Sequence, residues 1–163
     1  MARARTDLPH NAVKINGVFL EDVVTGFTTL RASGRESVDK DFTLYNSTKN
    51  DGAKLNYSRY PDKEITVEFV LGTNSYNNYA SGHETLMKYL DVNEAEIIFN
   101  DEPDKYYIGS LSINSIDKQS TFCTGKYTIL CADPFKYDVN ETTVTSSTVT
   151  VDGIQVTALT TDN

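Results

Sequence analysis

Three strand patterns in close succession, between residues 95 and 137, constrain the fold of this chain more than any other stretch. Ala95–Asn100 is a short apolar run, Lys105–Ile116 is a second strand, and Ser120–Ala132 is a third. In the third pattern every second side chain is apolar over much of its length, at Cys123, Tyr127, Ile129 and Cys131. A period of two is typical of a half-buried strand. The stretch therefore predicts three consecutive strands of a sheet with one buried face.

The connections between these strands also have the expected chemistry. Asp101-Glu102-Pro103-Asp104 predicts a turn, because proline presets φ and aspartate side chains bond nearby backbone groups. Asp133-Pro134 ends the third strand, since proline has no N–H to donate to a neighbouring strand.

The first half of the chain adds further strands. Asn16-Gly17 lies inside the apolar run Val13–Leu20 and predicts a two-residue type I′ hairpin turn. Val23–Leu30 is a weaker strand candidate, and Glu64–Leu71 is a clear one. The alternation of Glu64–Leu71 predicts that its apolar face is buried, at Ile65, Val67, Phe69 and Leu71.

Between those two strands lies a stretch that alternates less clearly. Ser37–Tyr45 predicts a half-buried strand, with its apolar face at Val38, Phe42 and Leu44. Asn46–Tyr60 is polar and broken by Asp51-Gly52, and it predicts a long loop or a protruding hairpin. Such excursions often carry contacts to partner molecules.

Only one helix is predicted. Apolar side chains recur at helical spacing between Tyr76 and Leu90, and Ser75 is a candidate N-cap. The pair Ser81 and Glu84 also spells a capping box, which would start the helix later. One helix cannot supply the crossovers of a parallel sheet. The element order therefore predicts a mainly β (α+β) fold with antiparallel sheets.

Length and charge narrow the functional classes. The 163 residues suit one domain, or one domain and a fragment of another. A formal net charge of −8 argues against binding nucleic acid or anionic membranes, which requires clustered Lys and Arg. The sequence has no run of about 18 apolar residues, so it predicts no membrane span.

Three acids and two cysteines are the candidates for a metal site. Asp101, Glu102 and Asp104 lack the ligand spacing of a calcium-binding loop, and a solvated turn is the simpler interpretation. If Cys123 and Cys131 share one strand, they lie about 26 Å apart, too far for a disulfide. We therefore expect two buried thiols, a reducing compartment, and no metal or cofactor site.

The candidates for catalysis and sugar binding are equally weak. His83 falls on the apolar face of the predicted helix, and the only other histidine, His10, is near the chain end. Neither has a nucleophile at a recognisable spacing, so we predict no catalytic residue and no enzyme. A set of tyrosines would suit a sugar-binding surface, but also half-buried strands and protein interfaces: Tyr57, Tyr60, Tyr76, Tyr79, Tyr106 and Tyr107.

Two motifs carry a family resemblance. The run IFNDEPDKYYIG at 98–109, followed by ILCADPFKY at 129–137, resembles the distal tail protein (Dit) family of long-tailed phages and prophages of Gram-positive bacteria. The resemblance covers roughly residues 12–137. It implies an antiparallel β-sandwich or split barrel with one helix packed against it, which agrees with the element order.

The resemblance also implies a function. Distal tail proteins form hexameric rings at the tip of the tail tube and join the tube to the baseplate or tip proteins. This chain would then be a structural hub in the virion tail tip, made in the bacterial host cytoplasm. Its partners would be its own copies, the tail tube, a tail-associated tip protein and receptor-binding proteins.

Three domain segments follow from the resemblance and the composition. We expect a flexible N-terminal arm at 1–11 and a Dit-like β-sandwich at 12–137. Residues 138–163, rich in Thr and Ser, would be a linker and the start of a second, galectin-like β domain, or a C-terminal tail. A small hairpin around Asp152-Gly153 is predicted within that last segment.

Two other functions remain open from the sequence. One is a monomeric carbohydrate-binding β-sandwich module, which the tyrosines would serve. The other is a tail tube protein, which also builds hexameric rings but stacks them into tubes. An enzyme ranks behind both because the expected catalytic groupings are missing from the sequence.

Overall fold

The computed structural model describes residues 5–36, 39–46, 51–140, 143–151 and 154–162. In these ranges the chain forms strands joined by tight turns, together with two helices. The elements are β1 (Val13–Ile15), β2 (Val18–Phe19), α1 (Leu20–Val23), β3 (Phe27–Ser33), β4 (Asp41–Asn46), β5 (Ala53–Arg59), β6 (Lys63–Gly72), α2 (Tyr76–Leu90), β7 (Ala95–Phe99), β8 (Glu102–Lys118), β9 (Phe122–Cys131), β10 (Tyr137–Asp138), β11 (Thr143–Val151) and β12 (Ile154–Asp162).

The long strand β8 joins the two halves of the main sheet. Its first half pairs with β7 and β10, and its second half pairs with β9. The main sheet has the order β2-β1-β7-β8-β9-β6-β3, and all of its pairs are antiparallel. Two further hairpins, β4–β5 and β11–β12, are separate two-stranded sheets. The predicted mainly β, antiparallel sandwich with a packed helix is confirmed.

The centre of the core lies on the inner face of β6 and β9. Phe69 is fully buried and stacks on Phe27, with ring centroids 5.4 Å apart, while Tyr127 lies 5.9 Å away on its other side. Gly125 pairs directly with Phe69, and a Cβ atom on Gly125 would stand 2.6 Å from the Phe69 ring. The alternation predicted for both strands is therefore confirmed. The absence of a side chain at Gly125 makes room for the Phe69 ring.

Helix α2 begins where the first of the two predicted caps places it. The Ser75 hydroxyl accepts a hydrogen bond from the Asn78 N–H, so the helix starts at Tyr76. Gly82 is buried, and a Cβ atom there would lie 3.3 Å from the Thr25 carbonyl oxygen. Neither described helix has the length and hydrophobicity that crossing a bilayer requires.

The prediction of a single strand at Val23–Leu30 needs correction. Val23–Leu30 is not one strand, because α1 ends at Val23 and β3 starts at Phe27. Gly26 separates them with φ +82°, and a Cβ atom there would lie 2.1 Å from the Gly72 carbonyl oxygen. Close backbone packing and a left-handed conformation, which favour glycine, therefore break the run.

The turn predicted at 101–104 is shorter than expected. Glu102 already pairs with Phe99, so the reversal of the chain is made by Asn100 and Asp101. The register then shifts between Phe99 and Ile98, and Pro103 lies in that irregularity. A bulge is one of the few places where a strand accepts proline, since no ladder N–H is required there.

The N-terminal segment is hydrogen-bonded to the rest of the chain, and the C-terminal segment forms a hairpin. The predicted type I′ turn is confirmed, with φ 47° at Asn16 and 87° at Gly17. Residues 5–11, part of the expected flexible arm, lie against the body, because the Asn100 amide bonds the backbone of Arg5 and Pro9. At the other end β11 and β12 pair in register, and their turn at Asp152-Gly153 lies outside the described residues.

The Phe69 cluster generates a stability prediction. Phe69→Asp places an unpaired charge in a fully buried site, and we expect a loss of more than about 4 kcal/mol in the free energy of unfolding. That loss approaches the whole stability of a typical domain, about 5–15 kcal/mol. The measurement is a thermal melt followed by circular dichroism. Leu30→Asp, at a side chain 55% exposed, is the control and should leave the melt nearly unchanged.

Candidate interaction surface

The hairpin of β4 and β5 is the most exposed apolar part of the described chain. We call residues 41–59 the arm. Its strands pair from Asp41 with Arg59 to Asn46 with Ala53, and they pair with no other strand in the part of the chain described. An ion pair between the Asp41 and Arg59 side chains, 3.3 Å long, closes the base of the arm.

Apolar side chains cover both faces of the arm. The register places Phe42, Leu44 and Leu55 on one face, with Tyr45 and Tyr57 on the other. Each of these five side chains is more than half exposed. Isolated exposed apolar residues are ordinary, but a contiguous group of this kind marks an interaction site.

This exposure corrects the prediction for Ser37–Tyr45. Phe42 and Leu44 were expected on a half-buried face, yet both are exposed, by 60% and 58%. The reason is topological, since among the described strands β4 pairs only with β5, and no second layer of described residues covers the arm. Val38, the third residue of the predicted face, lies outside the described residues. The protruding-hairpin alternative predicted for Asn46–Tyr60 agrees with the observed strand β5.

A two-stranded hairpin is marginally stable in water when nothing packs against it. The arm also has a bulge between Thr43 and Leu44, which interrupts its ladder of hydrogen bonds. Covering its apolar faces would therefore stabilise it. Among the side chains that the structure describes, the arm offers the surface that fits a protein partner best.

Partly buried charged side chains fix the root of the arm, by which we mean its flanking residues Arg35, Tyr60 and Lys63. The Arg35 guanidinium forms two hydrogen bonds with the Asp101 carboxylate, and its carbon lies 4.2 Å from the centroid of the Phe99 ring. Lys63, after the arm, donates to the Arg35 carbonyl oxygen at 3.1 Å. The chain segments before and after the arm are thus joined to each other and to the turn between β7 and β8.

Aromatic rings extend the exposed surface beside this root. Tyr60 packs edge to face against Phe135, with ring centroids 5.1 Å apart, and the Lys40 ammonium lies 5.1 Å from the Tyr60 ring. Tyr137 and Tyr106 make a second ring pair at 5.7 Å. Tyr60, Phe135 and Tyr137 are each more than 40% exposed, so the root itself offers apolar area.

The three acids in and just after the β7–β8 turn make ion pairs or strand contacts. Asp101 binds Arg35, Glu102 binds the Lys136 ammonium at 2.5 Å, and the Asp104 carbonyl accepts the Val139 N–H. Nowhere in the described ranges do three or more His, Cys, Asp or Glu side chains gather as a metal site would require. These acids fasten neighbouring segments to the hairpin.

His83 and the two cysteines lie in packed positions. His83 is half-buried on α2, with its ring 6.0 Å from that of Tyr79. Cys123 and Cys131 are buried and free, as predicted. Burial raises the pKa of the Cys131 thiol to about 11, which makes it a poor nucleophile at neutral pH.

The six tyrosines proposed for sugar binding do not form one surface. Tyr79 and Tyr107 are buried in the core, and Tyr76 is exposed at the start of α2. Tyr57 and Tyr60 belong to the arm and its root. This dispersal favours separate packing and interface roles over a single sugar-binding platform.

The Arg35–Asp101 pair and the exposure of the arm were not predicted from the sequence. The two residues are 66 positions apart, and no local pattern links them. For the arm, the useful signal was that the adjacent residues Leu44 and Tyr45 place apolar side chains on both faces of β4. A half-buried strand would have kept one face polar.

The pH dependence of stability tests the ion pair between Arg35 and Asp101. Burial alone would raise the pKa of the Asp101 carboxyl, but the hydrogen bonds and charge of Arg35 outweigh burial and hold that pKa below its ordinary value. The pair therefore stabilises the fold above the pKa of the unfolded carboxyl, about 3.9, and the stabilisation is lost as the pH falls through the folded pKa.

We expect Asp101→Asn to lower the free energy of unfolding by about 1–3 kcal/mol at pH 7, because it leaves the half-buried Arg35 charge unpaired. Below pH 4 the difference from the wild type should shrink. Urea unfolding at both pH values measures this. Glu84→Gln breaks an exposed pair with Lys88 and is the control, with little change at either pH. A difference that stays constant with pH would contradict the assignment.

Comparison with known proteins gives a family and a fold. A solved structure similar to this chain is the crystal structure of the SPP1 Dit (gp 19.1) protein, described as a paradigm of hub adsorption apparatus in Gram-positive infecting phages. The TM-score is 0.71 at 22% sequence identity, over 85% of this chain and 57% of the SPP1 chain. At this identity the likeness establishes the shared fold. This chain spans a little over half the length of that protein.

The other comparisons concern sequence. No curated protein matches this chain. The family model described as the phage tail protein RIFT-related domain matches residues 24–152, which is most of the chain. The chain therefore belongs to the phage tail protein RIFT-related domain family.

Proposed function

We propose that this chain is a structural protein of a phage or prophage tail tip, where its copies form a ring-shaped hub that joins the tail tube to the baseplate or tip proteins. The family supports a place in the phage tail. The fold shared with the SPP1 Dit hub protein supports a place at the tip. The observation that carries the proposal is the exposed apolar arm, which supports contact with other protein chains.

The geometry suits a ring. A ring needs a heterologous interface, in which one patch of a subunit meets a different patch of the next, with a rotation that closes. The arm supplies one patch that is apolar on both faces. We infer six copies from the resemblance to distal tail proteins, and partners that include the tail tube, a tail-associated tip protein and receptor-binding proteins.

The hub has no chemistry of its own. The arm and its aromatic root would serve assembly. The ion pair between Arg35 and Asp101 would make the root rigid. We assign residues 12–137 to the ring-forming domain. Residues 138–163 would lead into a second β domain or form a tail. The hub would be made in the bacterial host cytoplasm and end at the tip of the virion tail.

Light scattering with negative-stain imaging of the purified chain tests the proposal. A hub should give one ring or two stacked rings. Long tubes at high concentration would instead identify a tail tube protein. A monomer that binds cell-wall polysaccharide in a titration would identify a carbohydrate-binding module. A monomer without such binding would also count against the hub.

The arm generates a direct prediction. Replacing Phe42, Leu44 and Leu55 together by Ser removes one apolar face without touching the core. We expect the single subunit to keep its melting temperature within a few degrees, because exposed substitutions usually change stability by less than about 0.5 kcal/mol each. Ring formation should be lost, as measured by light scattering.

Tyr76→Ser provides the matched control. Tyr76 is 60% exposed, like the arm residues, but lies at the start of α2. Rings should persist in this variant. If the triple variant forms rings as readily as the wild type, the arm is not the assembly surface.

A further inference from the structure

The second half of β8 has an open edge. Strand β7 pairs with β8 only as far as Gly109, opposite Ala95. From Ser110 onward β8 pairs with β9 on one side, and on the other side the described chain offers no strand partner. Residues 112–118 are exposed except Ile116, which is partly buried.

One hydrogen bond shows which backbone groups face the open side. The Leu111 N–H donates to the Val92 carbonyl oxygen at 3.0 Å, so it points away from β9. Backbone groups alternate along a strand, and the N–H of Ile113 therefore points the same way. Past Val92, in the described chain, that side of β8 is bare backbone. An unpaired edge of this kind is a template for a strand from another chain.

The free edge of β3, at one end of the main sheet, is closed by comparison. In β3 the Phe27 N–H donates to the Val24 carbonyl, and the Thr29 N–H donates to the Glu21 carboxylate. A bulge between Thr29 and Arg31 interrupts the rest of that strand. Covering groups and bulges are ways in which an edge is protected from pairing. The open edge of β8 is thus the better docking site.

The arm of a second copy fits this edge in three respects. Strand β5 has 7 residues, which equals the length of 112–118, and its outer edge is free. The arm holds two acidic and three basic residues, whereas the whole chain has a net charge of −8. The arm therefore carries a net charge of +1, which another acidic copy does not repel. Ile113, 38% exposed, adds apolar area beside the edge.

We propose that the arm of one copy pairs with the open edge of β8, residues 112–118, on a second copy and extends its sheet by a strand. This inference rests on the proposed ring, since it names the contact between neighbouring subunits. The two patches differ, so each copy gives its arm to one neighbour and receives an arm from the other. Such a contact propagates around a ring.

Two variants separate the two patches. In the first, Ile113→Pro removes the outward N–H without removing a bond to β9, because edge positions whose N–H faces solvent tolerate proline. Ile113→Thr is its control, since it loses the same apolar side chain but keeps the N–H. In the second, Asn-Gly replaces residues 42–58, so that the hairpin closes at the Asp41–Arg59 pair.

Each variant alone should give the light-scattering mass of one chain, while Ile113→Thr should still form rings. Mixing the two variants is the decisive step. The proline variant has an intact arm and the shortened variant an intact edge, so an equal mixture should give the mass of two chains. Melting curves check that each variant is folded.

The outcomes are distinct. A wild-type chain that stays monomeric overturns the ring and this contact together. Wild-type rings that survive in a folded Ile113→Pro variant, or a mixture that remains at the mass of one chain, overturn the contact alone. If Ile113→Pro does not fold, hydrogen exchange on the wild type decides. Amides of 112–118 should exchange more slowly in the ring than after dilution, and equal rates overturn the contact.

Discussion

The whole architecture depends on β8 pairing with different strands along its two halves. This strand of 17 residues contacts β7 and β10 in its first half and β9 in its second half. Without it the core of β6 and β9 and the smaller group of β1, β2 and β7 would be separate sheets with exposed edges. The bulges near Pro103 and Asn114 let one strand serve both groups, because a bulge bends a strand and increases its twist. Buried Leu111, which bonds to Val92 just after α2, fastens the helix to the same strand.

Elements with a clear local signal were predictable from the sequence. The alternation of Glu64–Leu71 and the Asn16-Gly17 turn each follow from one short pattern and one physical rule. The start of α2 followed from its Ser75 cap. The inward positions of Cys123, Tyr127 and Ile129 could also be predicted, because a period of two fixes which side chains are buried once one face of the strand is covered.

What could not be predicted depends on contacts between distant positions. Phe42 and Leu44 alternate like core residues, and only the sheet order shows that no layer covers them. The break at Gly26 depends on the backbone of Gly72, 46 positions later. The open edge of β8 exists because β7 begins only at Ala95, opposite Gly109. The residues of β8 do not by themselves reveal how far a partner strand extends. Each of these features of the candidate surface is a property of topology.

The burial of both sulfur atoms has a practical consequence for studying such an assembly. Cys123 and Cys131 have no exposed surface, and the thiol of Cys131 stays protonated at neutral pH. The native chain therefore presents no reactive sulfhydryl to reagents in solution. A single cysteine introduced on the surface would be the sole site for a maleimide dye or a spin label. Distances between subunits can then be measured by fluorescence or electron paramagnetic resonance without first removing the natural cysteines.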